Sequence, residues 1–101
     1  MDPKAIDARV GEAWKAHHAG NNEVAIEQFS RILAETPRHV DALWGLALAY
    51  RKVGDREKSL QTFRAAADLI AAQTGSEDDR ERLFMLQRMV KQQIEQMADF
   101  I

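Results

Sequence analysis

The chain matches itself at an offset of 34 residues, and that period narrows what it can fold into more than any other feature. Adding 34 to the residue number carries Pro3 to Pro37, Asp7 to Asp41 and Ala8 to Ala42. The same shift carries Gly11 to Gly45, Gly20 to Gly54, Glu23 to Glu57 and Phe29 to Phe63. Ala13 with Ala47, Asn21 with Asp55, Ala25 with Ser59 and Ile26 with Leu60 extend the register with small or similar residues. Chance gives roughly two identities over such a window, so the register marks a duplication.

Each copy reads as two helices. Asp2 can cap a first helix, and Pro3 sits at its first position, where a missing N–H costs nothing. Ile6, Val10, Ala13, Trp14 and His17 follow at helical spacing, and Gly20 suits the left-handed turn that ends a helix. Asn21 or Asn22 caps the second helix, whose apolar face is Ala25, Ile26, Phe29, Ile32 and Leu33, and which stops before Pro37. The third helix is predicted from about Arg38 to Val53, with Gly54 as its stop. It is apolar nearly all round, which predicts contacts on several sides. Asp55 caps a fourth helix that ends near Gln73 and turns Leu60, Phe63, Ala66, Ala67 and Ile70 inward. Thr74 and Gly75 then break the chain, and Ser76 with Asp79 resembles a capping box. The acidic run Glu77, Asp78 and Asp79 opens a fifth helix running almost to the end. No segment alternates as a strand does, and the short linkers place consecutive helices antiparallel.

A helix–turn–helix unit with this period resembles the tetratricopeptide repeat family. The residues that carry the resemblance are Leu46, Ala47, Tyr50, Gly54, Ser59, Phe63 and Ala66 in the second copy. In the first they are Ala13, Gly20, Ala25, Phe29, Ile32 and Pro37. The resemblance implies an all-α fold of five helices, built from antiparallel helix–turn–helix pairs in a right-handed superhelix. It implies a single domain over residues 1–101, with repeat one at about 3–36, repeat two at about 37–73 and a C-terminal helix at about 77–100. Ala13, Ala25, Ala47 and Ser59 let paired helices approach closely, and Phe29 and Phe63 fill the space between pairs. The first copy departs from the pattern at Glu12 and Ala16, where the family usually has a leucine and a tyrosine. That helix is therefore either loosely packed or an N-terminal cap. The second copy lacks the closing proline, since Ala71 takes its place, and no third copy follows. Arrays of this kind need about three units. The fifth helix is expected to supply the missing surface through Leu83, Leu86, Val90, Ile94, Met97 and Ile101.

In the family the first helix of each pair lines a concave groove, so the resemblance nominates a partner site. From the first copy it draws Asp7, Val10, Trp14, His17 and His18. From the second it draws Asp41, Trp44, Leu48, Arg51 and Lys52, with a third wall from the fifth helix. Such a groove has an apolar, aromatic floor and a basic end. It suits a protein or peptide segment with apolar anchors and acidic flanks. The lysine and asparagine clamp of the chaperone-binding branch is absent, since Val10 and Trp14 occupy its first two places. Each nominated residue also has a plainer reading. Trp14 and Trp44 fit core or half-buried packing. Arg51 and Lys52 fit a helix end that complements the dipole. His17 and His18, adjacent in sequence, point about 100° apart on a helix and rarely share a metal ion.

The fifth helix carries a second apolar set, Phe84, Met85, Met89 and Phe100. This is either a self-association surface, making the chain a homodimeric structural protein, or part of a wide buried face in a compact bundle. A client-specific chaperone is a further alternative to the adaptor reading. Composition excludes much else. There are no cysteines, so disulfides, thiolate ligands and a cysteine nucleophile are absent. A net charge of −2 argues against a general affinity for nucleic acid. No phosphate loop, nucleophile elbow or metal motif occurs, and Ser30, Ser59 and Ser76 are explained by helix positions. The expectation is a non-enzymatic cytoplasmic protein with no cofactor or metal and no membrane partner.

Overall fold

A computed structural model of the chain describes residues 3–73 and 77–98. These form five helices: α1 (Pro3–His18), α2 (Asn22–Glu35), α3 (Val40–Lys52), α4 (Arg56–Ala72) and α5 (Glu77–Ala98). The caps proposed at Asp2 and Ser76, the break at Thr74 and Gly75, and the apolar residues Phe100 and Ile101 lie outside the described residues, as do the side chains of Glu77, Asp78 and Asp79.

The duplication is visible first in the backbone. After α1, the N–H of Gly20 donates to the carbonyl of His17 (3.1 Å) and that of Asn21 to Ala16 (2.8 Å). After α3, Gly54 donates to Arg51 (3.1 Å) and Asp55 to Tyr50 (3.0 Å). These are the paired bonds of one Schellman motif, repeated 34 residues apart. Both need a residue in left-handed backbone, and Gly20 (φ +85°) and Gly54 (φ +83°) supply it. Asp55 then caps α4, its carboxylate accepting from the Lys58 N–H at 3.2 Å. Asn21 occupies the corresponding position before α2 but makes no side-chain cap bond.

One boundary differs from the sequence expectation. The third helix starts at Val40 rather than Arg38, because His39 is its cap: the ring Nδ1 accepts the Ala42 N–H at 3.1 Å. Histidine seldom serves this role, so the sequence expectation extends the helix back over His39 and Arg38.

Packing follows the pairing. The most extensive contacts join α3 to α4 and α1 to α2, then α2 to α3 and α4 to α5, with a smaller contact between α1 and α3. The helix expected to be contacted on several sides, α3, touches α1, α2 and α4. Ala13, Ala25, Ala47 and Ser59 are all fully buried, as small residues at helix crossings must be. The Ser59 hydroxyl is satisfied there by donating to the Ala47 carbonyl at 2.8 Å. Phe29 and Phe63 are also fully buried. Two cores result. One gathers Ile6, Phe29, Ile32 and Leu46 around α1, α2 and α3; the other gathers Phe63, Ile70, Leu83, Val90 and Met97 around α3, α4 and α5. Among the described residues α1 gives Ile6 and Ala13 to the core, while Glu12 is exposed. Glu12 is the counterpart of Leu46, which is buried. A polar residue on the open side of the first pair fits the cap reading rather than loose packing.

The two matched glycines of the helices have different roles. A Cβ at Gly45 would lie 2.2 Å from the Phe29 Cζ, so the ring closes on bare backbone; a Cβ at Gly11 would meet nothing within 4 Å. Gly45→Ala is therefore expected to destabilise the fold by about 1–3 kcal/mol through overpacking. That outweighs the gain of roughly 1 kcal/mol from replacing a helical glycine. Gly11→Ala keeps that gain and is expected to stabilise. Urea unfolding of both variants checks the opposite signs, and equal shifts would contradict the packing described.

Candidate functional site

The first helices of the two pairs end side by side. His17 and His18 fall in the last turn of α1, Arg51 and Lys52 in the last turn of α3. Cationic side chains are favoured there, where unpaired carbonyls give the helix end partial negative charge. The third wall is α5. Its Arg82 lies 3.7 Å from Asp41 near the start of α3, and its Gln93 and Gln96 accept hydrogen bonds from Arg51 near the end of α3. The two contacts run in the same order along both helices, so α5 lies parallel to α3. It is held on the α4 side by its buried Leu83, Val90 and Met97, and by Arg56 of α4 donating to the Met97 carbonyl.

Between these helices is a cleft of ≈ 380 Å³ lined by His17, Leu48, Arg51, Lys52 and Gln93. Its floor is the half-buried Leu48 and its rim is basic. Among the described residues, neither Arg51 nor Lys52 has a carboxylate within ion-pair distance. The Arg51 guanidinium is instead oriented by neutral amides, including Gln96 at 3.4 Å. His17 is held below the ordinary histidine range, first by burial and then by the charges of His18 and Lys52. Asn22 acts in the opposite sense, although neither the His17 Nδ1 nor the Asn22 Oδ1 reaches hydrogen-bond geometry with any partner. The cleft therefore presents a neutral, under-satisfied ring beside two uncompensated cations.

The residues nominated from sequence separate into four groups. His17, Leu48, Arg51 and Lys52 meet at the cleft. Trp14 stands next to it: its ring stacks on His18 (5.8 Å) and meets His17 edge-on (5.7 Å), but also packs edge-on against the buried Phe29 (5.4 Å). Trp44 leans on Phe63 at 5.6 Å and, with Val10, belongs to the partly buried shell of the cores. Both tryptophans are half-buried. Asp41 is at the far end of the wall, paired with Arg82, and Asp7 is exposed. Gln93 was not anticipated. The inward stripe of α5 was legible, but nothing in the sequence registered that helix against α3. Of the second apolar set on α5, Phe84, Met85 and Met89 are 60%, 64% and 45% exposed, so the wide-buried-face reading fails for all three. Among the described residues, no three His, Asp or Glu side chains converge as metal ligands would. No described helix is long and apolar enough to cross a membrane.

Five helices in antiparallel pairs, with a Schellman turn and a buried phenylalanine repeated every 34 residues, define the tetratricopeptide-repeat fold. The chain is similar to the solution NMR structure of a tetratricopeptide repeat domain protein from Salinibacter ruber. The TM-score is 0.65 and the identity 17%, over 89% of this chain and 90% of that one. No protein-family model matches the sequence, and no curated protein matches it.

Proposed function

We propose that the chain is a protein-interaction module whose two helix pairs and α5 act as one unit. It holds a short peptide segment in the cleft between α1, α3 and α5. The observation that carries this reading is the pair of cations at the cleft, Arg51 and Lys52, which have no carboxylate partner among the described residues, beside the apolar Leu48. A fold that needed these charges only for its own stability would gain by pairing them. The favoured ligand is an extended segment with one apolar side chain on Leu48 and acidic residues reaching Arg51 and Lys52. Trp14 and His18 border the same end and extend the surface available to an aromatic or aliphatic anchor.

The test is a calorimetric titration with an acidic peptide, a leucine flanked by glutamates, against the same peptide with lysines. The acidic peptide is expected to bind, more weakly as salt rises, and the basic one not to bind. Arg51→Glu is expected to weaken binding by about tenfold or more, corresponding to roughly 1.4 kcal/mol. Because Arg51 also touches α5, Lys52→Glu serves as the second variant, and circular dichroism confirms that both keep their helices. Equal binding of both peptides would discard the cleft as an acidic-segment site.

A further inference from the structure

We infer that α5 carries a self-complementary face that joins two copies of this chain through antiparallel α5 helices crossing at Phe84 and Met85. The buried side of α5 is Leu83, Val90 and Met97. At about 100° per residue, Glu81, Met85 and Arg88 fall within about 60° of one another on the opposite side, flanked by Phe84 and Met89. All five are exposed. In a solenoid the face of a first helix that points away from the preceding pair is covered by its own second helix, as α4 covers α3. Among the described residues nothing covers this face of α5.

The charge pattern selects the occupant. A twofold interface matches residue i to j and j to i. Glu81 and Arg88 are two helical turns apart, about 10.5 Å along the axis, with Phe84 and Met85 midway between them. An axis passing between Phe84 and Met85 therefore sets Arg88 of each copy opposite Glu81 of the other, and Phe84 against Met85 twice. Neither Glu81 nor Arg88 forms an ion pair within the chain among the described residues. Sliding the axis to Arg88 and Met89 would bring the two Arg88 side chains together, which like-charge repulsion disfavours. The crossing is small beside a standard interface of about 800 Å² per partner, so the dimer is concentration-dependent rather than obligate. It uses the side of α5 away from the core and leaves His17, Leu48, Arg51 and Lys52 uncovered. Each dimer then offers two clefts, and a partner carrying two segments binds both at once.

Light scattering of the chain from about 1 μM to 1 mM tests this. The mass is expected to rise from 11.5 kDa towards twice that value. Met85→Glu is expected to give a folded monomer throughout. Glu81→Arg alone or Arg88→Glu alone is expected to weaken the dimer about tenfold, since each turns two attractive contacts into two repulsive ones. The double reversal, Glu81→Arg with Arg88→Glu, restores it. A constant 11.5 kDa mass overturns the proposal. So does a dimer indifferent to the single reversals, or one that the double reversal fails to restore. Lys52→Glu leaves the mass curve unchanged; dissociation by that variant would locate the interface in the cleft and overturn the α5 assignment without touching the peptide-binding test.

Discussion

Phe63→Ala is expected to lower the stability of the fold by about 3–5 kcal/mol, measured as a shift of the urea midpoint by circular dichroism. Phe63 is fully buried and shares one core with residues of α3, α4 and α5, with the Trp44 ring 5.6 Å away. Truncation leaves a hole bounded by three elements that do not close freely, because α3 is also packed on α2 and α5 is separately clasped to the first residue of α4, Arg56. A domain of this length has about 5–15 kcal/mol of stability, so the variant loses a large fraction of it. The intrinsic fluorescence of Trp44 should change with it. Phe63→Leu, which keeps most of the volume, should cost well under half as much. A loss below about 1 kcal/mol for the alanine variant would mean that Phe63 is not the link between the second pair and α5.

Much of that core was legible because repetition and burial have a common cause. A helix pair that stacks on its copy must present the same small residues at the crossings and the same large residue between pairs, which is why Ala13, Ala25, Ala47, Ser59, Phe29 and Phe63 are both repeated and buried. What repetition hides is asymmetry. Gly11 and Gly45 match in sequence, yet only Gly45 lies beneath a ring. Glu12 and Leu46 occupy equivalent places, one exposed and one buried. The cleft was legible to the extent that it draws on α1 and α3. Gln93 was not, because α5 has no earlier copy to be aligned with, and a helix register is set by packing rather than by local propensity. Trp14 and Trp44 are half-buried, each packing on a core phenylalanine while part of the ring stays exposed, and no pattern on a single helix separates those two surroundings.

Val90→Asp is the second large effect. Val90 is fully buried on α5 in an apolar core, and among the described residues no buried cation stands there to pair with an aspartate. Truncation alone, as in Val90→Ala, costs about 2 kcal/mol. The uncompensated carboxylate adds several more, enough to release α5 from α4. The released helix is 22 residues, so a large loss of ellipticity is expected even where α1 to α4 persist. The effect carries its own control. Burial raises the folded-state pKa of the new carboxyl above its unfolded value of about 3.9, so the penalty is fully present at neutral pH and fades as pH falls through the raised value. Val90→Asn, which cannot titrate, lacks that recovery. Comparing the two variants' urea midpoints, each relative to the parent chain, at pH 7 and near pH 4.5 separates charge from shape. A penalty for Val90→Asp independent of pH would show that α5 is already accessible to water at that position.

The twin turns at Gly20 and Gly54 reach further than the two helix ends they close. Each fixes the angle between the helices of its own pair, and in a stacked array angular errors are carried forward to every later element. The cleft draws walls from α1, α3 and α5, which touch directly at a few places but follow one another along the chain through α2 and α4. Its width is therefore set at a distance: a few degrees of rotation in a glycine that touches no ligand would swing an entire wall, as a small turn at a pivot moves the far end of a lever.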